Sequence, residues 1–113
     1  MNLCVIGTSN ITFHHLKALK RKFNIACIAS TRLNSKNLNK ISNHFGIKKK
    51  FNNWKEAIKY TIGLKKSAFF ITSRFKDNKK ILRECCKTKK KIFIEKPIFE
   101  NPKEFKNFFK FKN

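Results

Sequence analysis

The fold is decided by a stretch near the start of the chain, Leu3-Cys4-Val5-Ile6-Gly7-Thr8-Ser9-Asn10-Ile11-Thr12. Its first four residues form an unbroken apolar run, which is typical of a strand buried on both faces of a parallel sheet. A glycine ends the run, and the polar side chains that follow can cap a helix. The next residues recur at helical spacing, with an apolar stripe of Ile11, His15, Leu19 and Phe23 and with Leu16 and Ala18 beside it. The stretch predicts a strand, a tight turn and the N-terminus of a helix.

A turn of this kind directs free backbone N–H groups and the positive end of a helix toward an anion. The dinucleotide-binding fingerprint places glycine at three positions of such a turn, which are here Gly7, Ser9 and Thr12. One glycine in three is a weak match. An ordinary strand–helix unit therefore stays open as an interpretation of this stretch alone.

The composition indicates a single folded and strongly basic domain. The chain has 113 residues, of which 41% are hydrophobic, and this excludes a disordered polymer. It carries 28 Lys and Arg against 6 Asp and Glu, a net charge of +22. Such an excess attracts nucleic acid, anionic membranes or a phosphate-rich cofactor. Because the basic residues are spread along the chain, we favour compositional drift of an AT-rich genome over a selected polyanion site.

The cysteines and the apolar runs indicate a soluble, cytoplasmic protein. Cys4 and Cys27 fall in predicted buried strands, and the adjacent Cys85 and Cys86 fall on a predicted helix without metal-ligand spacing. We expect all four to be reduced core or near-core residues. The sequence shows no signal segment at its start and no apolar run of membrane-spanning length. Adjacent His14 and His15 point in different directions on a helix, so no metal site is expected.

Strands and helices alternate along the whole chain. The predicted strands are Leu3–Ile6, Asn24–Ser30, a short segment from Ile47 to Phe51, Ala68–Thr72 and Lys91–Ile94. The predicted helices begin at Ser9-Asn10, Asn34-Ser35, Asn52-Asn53, after Ser73-Arg74, and at Asn101-Pro102. The alternation predicts a doubly wound, Rossmann-type α/β domain, whose parallel sheet of about five strands has the order 3-2-1-4-5 and carries helices on both faces.

Four features of this order resemble the nucleotide-binding half of the glucose-fructose oxidoreductase/inositol dehydrogenase (Gfo/Idh/MocA) family. They are the first turn with His15-Leu16 eight residues after Gly7, the segment Phe45-Gly46-Ile47 with Phe51 and Trp54-Lys55-Glu56-Ala57-Ile58, the strand Ala68–Thr72, and the strand Lys91–Ile94 ending in Glu95-Lys96-Pro97. The last is the family's most specific signature. Because all four occur in register, we identify the chain as similar to this family over almost its whole length.

The resemblance implies a site for a dinucleotide, NADP or NAD. The backbone of Gly7, Thr8, Ser9, Asn10 and Ile11 would hold the pyrophosphate, and Ser30, Thr31 and Arg32 would meet the adenosine ribose. Thr72, Ser73, Arg74 and Asn78 would line the edge of the site. Lys96 would be the catalytic residue beside the nicotinamide, where its ammonium can polarise the substrate oxygen or relay its proton, with Glu95 orienting it and Pro97 fixing the turn.

The end of the second strand favours NADP over NAD. An NAD-specific site usually places a carboxylate there to hold the ribose hydroxyls, and this sequence has none. Two hydroxyl residues followed by Arg32 suit a 2′-phosphate, because a guanidinium binds it bidentately.

The sequence departs from the family pattern in its first turn, at Asn78, where family members often carry His, and in its length. Ser9 and Thr12 replace glycines, so the backbone is expected to approach the pyrophosphate less closely. We also interpret the chain as one domain over residues 1–113, and we expect the family's second domain, which supplies the substrate pocket, to be absent. We therefore expect a truncated or remnant NAD(P)-binding domain of an oxidoreductase that transfers hydride between nicotinamide and a sugar- or cyclitol-like secondary alcohol. The alternatives are a basic nucleic-acid-binding module that retains the fold without catalysis, and a degraded reading frame.

The aromatic residues have a simpler interpretation. Trp54 and the 13 phenylalanines fall at helix-face or strand-core positions, so we interpret them as core residues in preference to base-stacking platforms. The terminal face of Phe105, Phe108 and Phe109 stays open between core packing, which we favour, and a membrane-surface helix.

Overall fold

The computed structural model describes residues 1–32, 35–73 and 75–94, without the side chains of Phe75 and Lys76. The elements in chain order are β1 (Asn2–Ile6), α1 (Asn10–Leu19), β2 (Asn24–Ala29), α2 (Lys36–Phe45), β3 (Lys50–Phe51), α3 (Trp54–Ile62), β4 (Ser67–Ile71), α4 (Phe75–Lys87) and β5 (Lys91–Ile94). The five strands form one parallel sheet in the order β3-β2-β1-β4-β5. The predicted doubly wound fold and strand order are confirmed.

The predicted Asn34, Arg74, Glu95, Lys96 and Pro97, and the predicted last helix from Asn101, lie outside the described residues. In the part of the chain that is described, no helix is both long enough and apolar enough to cross a bilayer.

Two of the described helices pack on each face of the sheet. On one face, Leu16 of α1 and Leu38 and Ile41 of α2 pack on alternate residues of the central strands, among them Val5 and Phe70. On the other face, α3 and α4 pack on the intervening strand residues. That cluster joins Ala57, Ile58, Ile81, Leu82 and Cys85 to Cys4, Ile6, Cys27, Ala29, Phe69 and Ile71. Connections that run toward β3 thus place their helices on one face, and connections that run toward β5 place theirs on the other.

The buried face of α1 differs from the predicted stripe. Ile11 is 53% exposed, whereas Thr12 and Leu16 are fully buried. The capping hydrogen bonds of Ser9 and Thr12 begin the helix at Asn10 and turn Thr12 toward the sheet. Residue 11 consequently points to solvent, because neighbouring residues of a helix diverge by about 100°.

The backbones of β1 and β4 lie close together where the two strands end. The Thr72 N–H donates to the Ile6 carbonyl over 2.8 Å, and the Gly7 N–H donates to the Ala29 carbonyl over 2.9 Å. Gly7 has a φ of 133°, and a Cβ atom placed on it would lie 2.3 Å from Thr72 Oγ1 and 2.8 Å from the Thr72 carbonyl carbon. Both the backbone conformation and the available space therefore require glycine at this position.

The four cysteines are free thiols, as predicted, and three of them are buried. Burial raises the pKa of Cys85 to about 12. The hydrogen bond with the Cys27 thiol, together with burial, raises the pKa of Cys4 well above its usual range. Cys86 is half-buried at the margin of the core.

We expect one thiol to react first when the native protein is treated with iodoacetamide at pH 8. The thiolate is the reactive form and must be reached by the reagent, so Cys86 should be alkylated well before Cys4, Cys27 and Cys85. Peptide mass spectrometry after timed quenching measures the order, and a sample unfolded in guanidinium is the control in which all four react. Equal rates in the native protein would contradict the described packing.

We expect Gly7→Ala to lower the free energy of unfolding by about 2–4 kcal/mol, because it combines an unfavourable φ with overlap against Thr72. Urea denaturation followed by circular dichroism measures the loss. Gly63→Ala is the matched control: Gly63 has a φ of −80°, and the nearest atom to an added Cβ is the Tyr60 carbonyl oxygen at 3.7 Å. That variant should stay within about 1 kcal/mol of the parent. Equal losses in both variants would refute the assigned contact.

Candidate functional site

A cavity of about 190 Å³ opens at the carboxyl edge of the sheet. It lies where the turns after β1, β2 and β4 meet the start of α2, and it is lined by Gly7, Thr8, Ser9, Thr31, Arg32, Ser35, Asn37, Thr72 and Ser73. The strands β1, β2 and β3 follow one another toward one edge of the sheet. β4 lies on the other side of β1, and β5 follows it toward the opposite edge. The cavity therefore occupies the topological switch point, where open α/β sheets bind ligands.

The turn after β1 is organised by a reciprocal cap. The Thr12 N–H donates to Ser9 Oγ over 3.4 Å, and the Ser9 N–H donates to Thr12 Oγ1 over 3.1 Å. These bonds satisfy two of the donors at the start of α1 with the protein's own side chains. Asn10 and Ile11 contribute the remaining first-turn N–H groups, which have no intrahelical partner. An anion at this turn would be held by those groups and by the positive end of the helix.

Thr12 occupies the third fingerprint position without disturbing the packing of helix on strand. Its side chain is fully buried, and its hydroxyl is hydrogen-bonded to that of Thr72, which is 6% exposed. The pair links the first turn of α1 to the end of β4, directly beside Gly7. A polar link between two buried hydroxyls thus takes the place of the close contact that glycine would allow.

The segment after β2 presents one cation to the cavity. Ser30 is fully buried, and its hydroxyl donates to the Arg32 carbonyl over 2.7 Å while it accepts the Arg32 N–H over 3.0 Å. The side chain of Ser30 is therefore engaged inside the turn, and the ribose contact expected of it stays a prediction. Thr31 and Arg32 line the cavity instead. Arg32 is the only charged residue among those lining it in the described part of the chain.

Beyond β4, a second buried polar group supports the rim. Asn78 is 2% exposed and accepts a hydrogen bond from the Ser73 hydroxyl through its Oδ1 atom. Ser73 lines the cavity, whereas Asn78 lies behind it on α4. Asn78, predicted to contact the cofactor, is placed to orient Ser73.

The structure brings most of the predicted residues to one place. The predicted residues on the turns after β1, β2 and β4 meet at the cavity, and Ser30 and Asn78 lie one layer behind them. The side chains of Asn10 and Ile11 are exposed and do not line the cavity. Ser35 and Asn37, which the sequence analysis missed, line the cavity from the start of α2, and Ser35 Oγ is 3.2 Å from Thr8 Oγ1. The signal that could have indicated them is their position in the first turn of the helix after β2, opposite the phosphate turn.

These residues fit a dinucleotide. Gly7 lets the turn after β1 lie close against Thr72, the rim carries hydroxyl and amide groups, and the one charge among the described lining residues is positive. A small, polar, cationic cavity at a helix N-terminus is suited to a phosphate group.

Comparison with known proteins agrees with this geometry. The sequence model of the Gfo/Idh/MocA family, described as an oxidoreductase family with an NAD-binding Rossmann fold, matches residues 1–112. No curated protein sequence matches the chain significantly.

Several solved structures share the fold. An oxidoreductase from Agrobacterium radiobacter, solved in complex with NAD+, L-tartaric acid and magnesium, superposes with a TM-score of 0.85 at 16% identity, over 97% of this chain and 31% of its own. A probable dehydrogenase from Thermotoga maritima gives a TM-score of 0.81 at 21% identity, over 97% and 32%. Myo-inositol 2-dehydrogenase from Lactobacillus plantarum gives a TM-score of 0.80 at 18% identity, over 97% of this chain and 32% of its own.

The chain spans about a third of the length of these proteins, and at such identities they show the fold alone. The family match is broader, because it extends over nearly every residue of the chain. On that match, the chain belongs to the Gfo/Idh/MocA oxidoreductase family and corresponds to its NAD-binding Rossmann domain.

Proposed function

We propose that the cavity binds NADP in preference to NAD, as the cofactor site of an oxidoreductase. The observation that carries this proposal is the pairing of a phosphate turn at the switch point with a cation, Arg32, directly after β2. The pyrophosphate would be held at the turn from Gly7 to Ile11, through the first-turn N–H groups of α1 and the end of the helix dipole.

The preference for NADP is argued from the segment after β2. Residues 30–32 are Ser-Thr-Arg and provide no carboxylate that would pair with two ribose hydroxyls. A carboxylate would repel a 2′-phosphate, whereas a guanidinium attracts it and binds it bidentately. The two hydrogen bonds between Ser30 and Arg32 fix the backbone of this turn, so the side chain of Arg32 starts from a defined position at the rim.

The proposed chemistry is hydride transfer between the nicotinamide and a secondary alcohol carbon of a sugar- or cyclitol-like substrate. The bound cofactor supplies the hydride acceptor or donor. By resemblance to the family, Lys96 is proposed to hold or move the proton of the substrate hydroxyl, with Glu95 orienting it and Pro97 fixing the turn. Since the chain spans about a third of its structural relatives, we propose that the substrate pocket is contributed by a further domain or a partner chain.

We expect the purified chain to bind NADPH saturably at a stoichiometry of one to one, and to bind NADH more weakly. Arg32→Ala should weaken NADPH binding by about 10- to 100-fold, which corresponds to the loss of one charge-assisted, bidentate contact. The same substitution should change NADH affinity by less than about threefold, since NADH has no 2′-phosphate. Isothermal titration calorimetry measures the dissociation constants of NADPH and NADH for the parent and for the variant.

Arg21→Ala is the matched control, because Arg21 is an exposed arginine in the turn after α1, at the opposite edge of the sheet. It should leave both affinities unchanged. No saturable binding at millimolar cofactor by a folded sample would refute the proposed function. Equal weakening of NADPH binding by both arginine variants would refute only the assignment of Arg32, because it would indicate general attraction of phosphate to a basic protein.

A salt titration tests the alternative of a nucleic-acid-binding module. Affinity for DNA or RNA should fall steeply with salt if many Lys–phosphate contacts carry it. Nucleic-acid binding that is tighter than cofactor binding at physiological salt, and is unaffected by Arg32→Ala, would favour that alternative.

A further inference from the structure

An apolar groove of about 230 Å³ lies on the face of the sheet that α1 and α2 cover, beyond α1 and toward the β5 edge. Its lining consists of Leu3, His15, Leu19, Phe23, Phe70 and Phe93. Phe70 and Phe93 are register partners on β4 and β5, so their rings point to the same face. Phe93 is 45% exposed, and among the described residues it is the one aromatic side chain with such exposure. The core position predicted for it is wrong, because no described helix covers this part of the sheet.

The shape of the groove matches one helix. Two adjacent strands form a strip about 10 Å wide, which is the diameter of an α-helix with its side chains. On the opposite face the corresponding strip is covered by α4, whose Ile81, Leu82 and Cys85 pack near Ile92 and Ile94. The groove is concave, which favours a partner that inserts side chains from a rigid surface over a flat bilayer.

The charge around the groove is positive. Lys91 is exposed on the same face of β5 as Phe93, and Arg21 and Lys22 are exposed beside Phe23. The carboxylates of the described residues are Glu56 on α3 and Asp77 and Glu84 on α4, and both of these helices lie on the other face. Among the residues that the structure describes, an acidic partner would therefore meet cations and no opposing carboxylate at this rim.

A second copy of the chain is disfavoured as the occupant, because it would bring another net charge of +22 against the same basic rim. The charge of the rim favours instead a helix of opposite charge from a different polypeptide.

We propose that this groove, lined by Leu3, Leu19, Phe23, Phe70 and Phe93, is a docking site for an amphipathic helix with an apolar face and acidic flanks. Apolar side chains of the helix fill the space over Phe70 and Phe93, and its carboxylates pair with Lys91, Arg21 and Lys22 at the rim. The site lies on a face of the sheet and not at its carboxyl edge, so a helix can dock while the cavity at Gly7 is filled.

The probe is a labelled synthetic peptide of about 15 residues, with Leu and Phe on one helical face and Glu on the other. We expect it to bind the full chain in fluorescence anisotropy at physiological salt, and we expect a peptide with Lys in place of Glu not to bind. Phe93→Ala should weaken binding by about tenfold or more, as for a central aromatic anchor. Ile62→Ala is the matched control, since Ile62 is 57% exposed at the end of α3, and it should leave the affinity within about twofold.

Charge reversal provides a second arm. The double variant Lys22→Glu and Lys91→Glu should bind the acidic peptide more weakly and the Lys peptide more tightly. The control double variant Lys55→Glu and Lys59→Glu, on α3, should change neither affinity. Circular dichroism of each variant establishes that it is folded. Calorimetry with NADPH, with and without the peptide, should give the same cofactor affinity.

Several results would overturn the proposal. Equal losses in Phe93→Ala and Ile62→Ala would indicate general attraction of an acidic peptide to a basic protein. Nuclear Overhauser contacts between residues 95–113 and the methyl groups of Leu3 or Leu19 in the free chain would identify the chain's own C-terminal segment as the occupant. Self-association abolished by Phe93→Ala would identify a second copy. Binding to phosphatidylserine vesicles that requires Phe93 and is not displaced by the acidic peptide would identify a membrane.

Discussion

The contact on which the site depends is the approach of Gly7 to Thr72. With no side chain at residue 7, the end of β1 lies against the end of β4, and the turn that follows is held on both sides. The Gly7 N–H donates to the Ala29 carbonyl of β2, while the Thr72 N–H donates to the Ile6 carbonyl of β1. The first turn of α1 is thus fixed relative to three strands before any ligand arrives. A preorganised turn binds an anion without a further ordering cost.

The sequence predicts the parts of this arrangement that follow from local chemistry. Unbroken apolar runs place four of the strands to within a residue or two, whereas β3 begins at Lys50 and not at the predicted Ile47. The alternation of strands and helices predicts the strand order. Gly46, with a φ of 66°, ends α2 as expected for a left-handed cap. Asn53 caps α3 through a hydrogen bond from the Lys55 N–H. These features depend on neighbours in the chain, which is why a single sequence is enough to predict them.

What the sequence does not predict depends on contacts between distant residues. The burial of Thr12 follows from its hydrogen bond to Thr72, sixty residues away, and so the apolar stripe through Ile11 is misleading. Ser30 has the hydroxyl side chain expected of a ribose contact, but that hydroxyl is hydrogen-bonded to the backbone of Arg32 within a local turn. The contribution of Ser35 and Asn37 to the cavity requires the turn after β1 to face the start of α2. Phe93 has the pattern of a core strand residue, and only the positions of the helices reveal that nothing described covers it.

The distribution of charge constrains how such a basic protein can select a ligand. With a net charge of +22, every phosphate-bearing molecule is attracted to some part of the surface, so attraction alone cannot distinguish one from another. Discrimination then has to come from position. At the cavity, one cation is carried by a turn whose backbone Ser30 fixes, and it stands beside a helix N-terminus whose remaining donors are limited by the Ser9–Thr12 cap. Mobile surface lysines are screened by salt and hold no fixed geometry, whereas a fixed backbone and a planar guanidinium do. Selectivity at the proposed cofactor site would therefore depend on the turns after β1 and β2, and it would be largely independent of how many lysines the rest of the surface carries.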